Sequence, residues 1–132
     1  MEKVIVTVEL TDNNYAAYLE KLPGCVSTGK TFEELKKNIA EAVGFHIEGM
    51  IEDGEEMPFN RNYELAYKFD TESLLVHYNG ILTNSSLERL TGINQRQLQR
   101  YASGKSKPRL SQSLRIKTGL NRLGRELLAV EL

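Results

Sequence analysis

The spacing of apolar residues becomes helical near residue 70 and stays helical from there on. In KVIVTVEL the residues Val4, Val6, Val8 and Leu10 alternate with polar ones, which is the pattern of a half-buried strand. After Phe69 the apolar residues recur every three or four positions to the end of the chain. This change predicts an α+β protein with two domains, residues 1–70 and residues 71–132.

The first half is predicted to contain three strands, a helix and a last strand. TDNN supplies turn residues before the strand YAAYLEKL, and Pro23-Gly24 fits the middle of a type II turn before the short strand CVSTG. Thr31 and Glu34 have the spacing of a capping box, and YELAYKF returns to a period of two. We therefore expect a small antiparallel sheet with one helix, in the order β-β-β-α-β. One apolar stripe at helical spacing marks the buried face of that helix: Leu35, Ile39, Ala42, Val43, His46, Ile47 and Met50.

The second half is predicted to contain four helices. TESLLVHYNG and TNSSLERLTG give the first two; either Thr83 or Ser85 caps the second, and Gly92 ends it. The third begins in GINQRQLQRYASGKSKPR, where Asn94 is an N-cap residue and Gln97 stands at the capping-box position. Ile93 and Leu98 have the spacing of a hydrophobic staple. The fourth helix starts at Leu110, and its tail LLAVEL either finishes the helix or forms a strand.

Charge is divided unevenly between the two halves. The net charge of the whole chain is −1, but residues 1–70 carry 7 Lys and Arg against 14 Asp and Glu, whereas residues 71–132 carry 10 against 4. All ten of the latter basic residues lie between Arg89 and Arg125, with no acidic residue among them. Such a basic surface is typical of anion binding, so the halves are expected to have different partners.

The third helix of the second half has the composition of a DNA-reading element. Leu98 and Tyr101 face the core, which leaves only glutamine, arginine and serine outside. The planar ends of Gln and Arg can make paired hydrogen bonds to adenine and guanine in the major groove, and Lys105, Lys107 and Arg109 follow at positions suited to phosphates. The alternative is a helical bundle whose basic face is only solvated.

The segment TNSSLERLTGINQRQLQRYASGKSKPRLSQSLRI resembles the helix-turn-helix of the Xre and lambdoid phage repressor family. That pattern is a capped helix, a glycine, a recognition helix that begins with Gln, then Gly-Lys and a proline. The resemblance implies that three residues read bases: Gln95, Arg96 and Arg100. The residues expected to contact the DNA backbone are Asn94, Gln97, Gln99, Ser103, Lys105, Lys107 and Arg109. Gln99 stands where such repressors often have Glu.

The segment LPGCVSTGKTFEELKKNIAEAVGFHIEGM is similar to the core of HicB-type antitoxins. This resemblance implies a partial RNase H-like domain that binds and inhibits a small basic HicA-type, mRNA-cleaving toxin, joined to a domain that represses its own operon. The acidic first half is consistent with attraction to a basic toxin. Glu52, Asp53, Glu55 and Glu56 either contribute to that attraction or form only a solvated loop.

No catalytic or metal site is expected, and no cofactor. A nuclease of the RNase H type needs converging carboxylates for two metal ions, and Asp12, Glu9, Glu33 and Glu34 fall on unrelated elements. Cys25 and His46 could form a thiol-base pair, but both positions are better explained by core packing. His77 is expected to pack beside Tyr78, without a second metal ligand.

The remaining expectations concern assembly and location. Operators of this repressor type have paired half-sites, so a homodimer or higher even oligomer is expected, with Leu128, Val130 and Leu132 pairing as a strand if the tail is extended. The single cysteine and the lack of a signal peptide or apolar span favour the cytoplasm. Two other functions stay open: a stand-alone transcription regulator whose first domain senses a ligand, and a metal-dependent nuclease.

Overall fold

A computed structural model describes all residues from Met1 to Leu132. They form two compact units, Met1–Asp70 and Thr71–Leu132. The α+β class is confirmed, since the first unit holds four strands and a helix and the second holds four helices. None of the five helices combines the length and hydropathy that crossing a membrane requires. The elements are β1 (Glu2–Leu10), β2 (Tyr15–Leu19), β3 (Leu22–Gly29), α1 (Phe32–Glu52), β4 (Tyr63–Phe69), α2 (Thr71–Tyr78), α3 (Asn84–Thr91), α4 (Gln95–Ala102) and α5 (Leu110–Leu128).

The sheet of the first unit is mixed, with strand order β3-β2-β1-β4. β1 pairs antiparallel with β2, and β2 with β3, but β4 lies parallel to β1, with Val4 beside Leu65. The expectation of an antiparallel sheet is therefore wrong for the last pairing. The 21 residues of α1 rise about 31 Å. They carry the chain back along the sheet, so β4 starts at the same end as β1.

Pro23 and Gly24 do not form the turn expected of them. The chain reverses at Glu20 and Lys21, because Leu19 already pairs with Leu22. The register then shifts between Tyr18 and Leu19, and Gly24 has a φ of 86° inside β3. Pro23 and Gly24 thus lie in a bulge of an edge strand, where a residue without an N–H and a residue with positive φ are both tolerated.

Helix α1 covers one face of the sheet. Thr31 Oγ1 accepts from the backbone N–H of Glu34 at 3.0 Å, and a Glu34 carboxylate oxygen accepts from the backbone N–H of Lys30 at 3.2 Å. The capping box is thus present, with its return bond one residue further out than usual. The core joins the inner sides of β1, β2 and β3 to four helix residues: Leu35, Ile39, Val43 and Ile47. Ala42 and Met50 pack at its margin.

The four helices of the second unit surround a smaller core. Leu75 of α2, Leu87 of α3, Leu98 and Tyr101 of α4 and Ile116 of α5 are buried together. Thr83 caps α3 by accepting from the backbone N–H of Ser86 at 3.1 Å, which settles the choice between Thr83 and Ser85. This small core positions α4 on α2 and α3 and holds its remaining side chains at the surface.

Candidate nucleic-acid interface

Helices α3 and α4 are two eight-residue helices joined by a three-residue turn. Gly92 begins the turn in the left-handed conformation with φ 73°, and Asn94 ends it by accepting the backbone N–H of Arg96 on its side-chain oxygen at 2.8 Å. Ile93, between them, is buried with Leu98. Gln97 does not complete a capping box; its Nε2 donates to Ser106 Oγ at 3.4 Å instead. The start of α4 is therefore fixed by its cap and by apolar burial.

Burial of Leu98 and Tyr101 turns the opposite side of α4 outward. Gln95, Arg96, Gln99 and Arg100 are all exposed, and they follow two helical rows, because residues four apart lie on the same side of a helix. These four residues are called the outer face of α4 below. The structure thus brings together all three residues expected to read bases, Gln95, Arg96 and Arg100.

The two arginines and the two glutamines of this face differ in their surroundings. Gln95 Nε2 donates to a Glu88 carboxylate oxygen at 3.1 Å, and Asn84 Nδ2 donates to Gln99 Oε1 at 3.0 Å. Arg96 and Arg100 make no side-chain hydrogen bond or ion pair within the chain. Their guanidinium groups are free to engage an external acceptor, whereas the glutamines are held by α3.

A short basic loop connects α4 to α5. Ser103 caps the helix end and donates its hydroxyl to the carbonyl of Arg100 at 3.2 Å, and Gly104 takes a φ of 77°. Lys105 and Lys107 are exposed in the loop, and Arg109 is exposed at the N-cap of α5, where it makes no side-chain cap bond. The seven positions expected to contact a DNA backbone thus border or belong to α4. Six are exposed: Asn94, Gln99, Ser103, Lys105, Lys107 and Arg109; Gln97 is half-buried.

The C-terminal tail is helical up to Leu128 and pairs with no strand. Leu128, Val130 and Leu132 are all exposed, and Leu127, one residue before them, is exposed as well. Of the two alternatives left open for the tail, the structure shows the helix: α5 continues through 19 residues from Leu110. The role of these residues in dimerisation remains a prediction.

Cys25 and His46 of the first unit are the two residues considered as a thiol-base pair. Cys25 is buried in the core, and burial raises the pKa of its thiol, which disfavours the nucleophilic thiolate. His46 is half-buried on α1. No group of three or more His, Cys, Asp or Glu side chains is arranged to hold a metal ion. His77 packs against Tyr78 with ring centroids 4.5 Å apart, as expected.

Two features were missed at the level of sequence. Phe45 points away from the core of the first unit with 74% of its surface exposed, and the exposed Glu41, Glu48 and Glu52 stand near it in helical spacing. Its position outside the stripe formed by Leu35, Ile39, Val43 and Ile47 could have revealed it. The second feature is the contact of Glu88 and Asn84 with the glutamines of α4, for which the sequence gives no signal.

Comparison with known proteins identifies a family that the chain matches over most of its length. The family model that matches residues 4–89 is described as a HicB-like antitoxin of bacterial toxin-antitoxin systems. This match ends within α3 and does not include α4 or α5.

Individual relatives match shorter segments. An uncharacterised 14.9 kDa protein from the rep-hol intergenic region of Haemophilus phage HP1 is 43% identical over 53 residues, which is 40% of each chain. A UPF0150 protein of Synechocystis is 42% identical over 55 residues, 42% of this chain and 68% of that protein. A solved structure titled HicA3 and HicB3 toxin-antitoxin complex is 30% identical over 40% of this chain and 62% of that one, with a TM-score of 0.36.

The match to the phage protein spans well under two thirds of that protein's own length. The family model, by contrast, covers well over half of the 132 residues. The chain therefore belongs to the HicB-like antitoxin family of bacterial toxin-antitoxin systems.

Proposed function

We propose that this protein is an antitoxin that binds and inhibits a small HicA-type ribonuclease toxin in the cytoplasm, and that it represses its own operon by binding operator DNA. The observation that carries the antitoxin role is the family match over residues 4–89. The two units then have separate tasks: residues 1–70 bind the toxin, and residues 71–132 bind DNA and form the dimer. No catalytic step is assigned to either.

The toxin-binding task is supported by the charge and the exposed aromatic of the first unit. Its net charge of −7 attracts a basic partner and raises the rate of encounter. Phe45 offers an apolar contact next to Glu41, Glu48 and Glu52 on the outer side of α1. Aromatic side chains ringed by polar groups are frequent sources of binding energy at protein interfaces. We assign this side of α1 to the toxin.

The DNA-binding task is supported by the outer face of α4. Arg96 and Arg100 are exposed and lack partners in the chain, so base contact breaks no existing interaction. Arg pairs with guanine in the major groove, and glutamine pairs with adenine. Lys105, Lys107 and Arg109 follow directly, in positions to neutralise phosphates. The two short helices and their turn would then act as a helix-turn-helix.

Dimer formation is assigned to the end of α5. The apolar row that packs inward at Ile116 and Leu120 continues to Leu127, which is exposed, and Leu128, Val130 and Leu132 follow it. An apolar row that extends beyond the core of its own chain leaves apolar side chains uncovered. The same row of a second copy can cover them. Since the tail is helical to Leu128, the contact between copies would be made by helices, and the strand pairing considered for an extended tail does not apply.

The antitoxin proposal is tested by co-expression with the basic protein encoded by the neighbouring reading frame. The neighbour alone should arrest growth, and the full chain should restore growth and co-purify with it. A variant that carries Phe45→Glu tests the assigned side of α1, with Tyr18→Glu as a matched aromatic control on β2. Growth arrest that persists beside the wild-type chain, with no co-purification, would refute the antitoxin role.

A further inference from the structure

Two side-chain hydrogen bonds link α3 to α4 on the surface of the second unit. Glu88 accepts from Gln95 Nε2 at 3.1 Å, and Asn84 donates from Nδ2 to Gln99 Oε1 at 3.0 Å. Within each helix the two linked residues are four apart, so the bonds lie one turn from each other along the same pair of helix faces. Both glutamines belong to the outer face of α4, so α3 holds the two glutamines of that face.

The bond to Glu88 determines the orientation of the Gln95 amide. An ionised carboxylate only accepts hydrogen bonds, so the nitrogen of the amide, which is its donor, must face Glu88. The Oε1 of Gln95 must then face away. The pair of Asn84 and Gln99 differs, because each amide can both donate and accept, and turning both amides over preserves that bond.

We propose that Glu88 is a positioning residue that sets the base preference of Gln95. The inference rests on the proposed DNA-binding function. A glutamine that reads adenine must place its oxygen toward the N6 amino group and its nitrogen toward N7. An amide turned over by 180° places its nitrogen where the oxygen was, and it can then donate to thymine O4. Glu88 takes one N–H of Gln95, which leaves Oε1 as an acceptor and the other N–H as a donor, the pair that adenine N6 and N7 require. The position that Gln95 contacts should therefore select adenine over thymine.

A second effect follows from the charge of Glu88. Its carboxylate stands beside a face that would approach phosphates, so it weakens binding to every duplex alike. The pair of Glu88 and Gln95 therefore lowers the affinity for any duplex while raising the selectivity for adenine. Replacing Glu88 with glutamine keeps the size of the side chain but allows it to donate or accept, which frees the Gln95 amide to turn over.

The test is selection from a library of random DNA duplexes by the full-length protein. Wild type, Glu88→Gln and the control Glu64→Gln, which removes an exposed carboxylate on β4 of the first unit, are compared. Wild type should enrich one motif. Glu88→Gln should lose about tenfold in adenine-to-thymine preference at one position of each half-site, with the other positions unchanged. Glu64→Gln should enrich the wild-type motif.

A Gln95→Ala variant separates a positioning role from a merely structural one. It should lose preference at the same position as Glu88→Gln, and the double variant should lose no more than Gln95→Ala alone. Circular dichroism melting confirms that each variant folds. A Glu88→Gln motif identical to wild type at every position, or losses at different positions for the two single variants, would overturn the inference. Enrichment of no motif by wild type would instead refute the DNA-binding function itself.

Discussion

Gly119 of α5 lies directly against the carbonyl oxygen of Leu90 at the end of α3. A Cβ on Gly119 would stand 2.6 Å from that oxygen, closer than real side chains come. Arg122 Nη2 donates to the same oxygen at 3.0 Å. The last turn of α3 is thus held against α5 by backbone contact and by a charge-assisted hydrogen bond. Since α4 follows α3 after only three residues, this contact supports the outer face of α4.

Gly119→Ala is expected to destabilise the second unit by about 1 to 3 kcal/mol, because the backbone of α3 must move to admit the methyl group. The control is Gly124→Ala in the same helix, where a Cβ meets nothing within 4 Å. That variant should gain about 0.5 to 1 kcal/mol, because alanine favours helix over glycine. Denaturant unfolding followed at a helical signal measures both. Equal effects of the two substitutions would contradict the close packing at Leu90.

Glu2 is predicted to make the stability of the first unit sensitive to acid. Its carboxylate accepts from Lys21 Nζ at 3.1 Å and from the backbone N–H of Asn60 at 3.3 Å. The hydrogen bond from Lys21, followed by that from Asn60, lowers the pKa of Glu2 below its ordinary value of 4.5. Because the pKa is lowered in the folded state, the stabilisation of the fold by the Glu2 contacts is complete above the pKa of the unfolded chain. It is lost as the pH falls through the pKa of the folded state.

The stability difference between wild type and Glu2→Gln should therefore be constant above about pH 5 and shrink as the pH is lowered toward 3. Unfolding measured across that range checks the trend. Glu9→Gln, on the same strand, removes an exposed carboxylate without such partners and should show no comparable change. A difference that grows with acidity would mean that the Glu2 contacts do not exist in solution.

Phe45→Glu is expected to weaken toxin binding without affecting the fold. The side chain is 74% exposed, so its loss removes no core contact, whereas an interface would lose a buried aromatic, worth about 2 kcal/mol or more. Calorimetric titration of the purified toxin with each variant measures the change. Tyr18→Glu, on the open side of the sheet, is the control and should leave affinity unaltered. Similar losses from both variants would show that binding is not localised to α1.

Arg100 and Lys107 are predicted to affect DNA binding in different ways. Arg100→Ala should cost about 1 to 3 kcal/mol on the operator and relax its sequence preference, because a base contact is lost. Lys107→Ala should weaken binding to all duplexes alike and reduce the salt slope by about 1, because a phosphate contact is lost. Salt-dependent titrations on cognate and random duplexes distinguish the two. Equal losses on both duplexes for both variants would mean that the reading positions are misassigned.

Local signals in the sequence predicted most elements correctly. Thr31 and Asn94 cap the starts of α1 and α4, and Gly92 ends α3 in the left-handed conformation, as predicted. These features were predictable because a cap depends on residues within one helical turn. Burial of Leu98 and Tyr101 follows from their spacing, and it turns Arg96 and Arg100 outward. The outward direction of these arginines could therefore be inferred without a structure.

Structural features that depend on residues distant in the sequence could not be predicted in the same way. Pro23-Gly24 suits a turn or a bulge equally well, and only the pairing of Leu19 with Leu22 decides between them. The parallel direction of β4 depends on α1 carrying the chain back along the sheet to the end where β1 starts. The bond between Glu88 and Gln95 joins two helices and has no local sequence pattern.

Titration of the full-length protein against the duplex upstream of its own reading frame tests the central claim, that the outer face of α4 reads operator DNA. The account predicts at least about a thousandfold preference over a shuffled duplex of the same composition, and loss of most of that preference when Arg96 and Arg100 are both replaced by alanine. Equal affinity for the two duplexes, or a preference that the double substitution leaves intact, would contradict it.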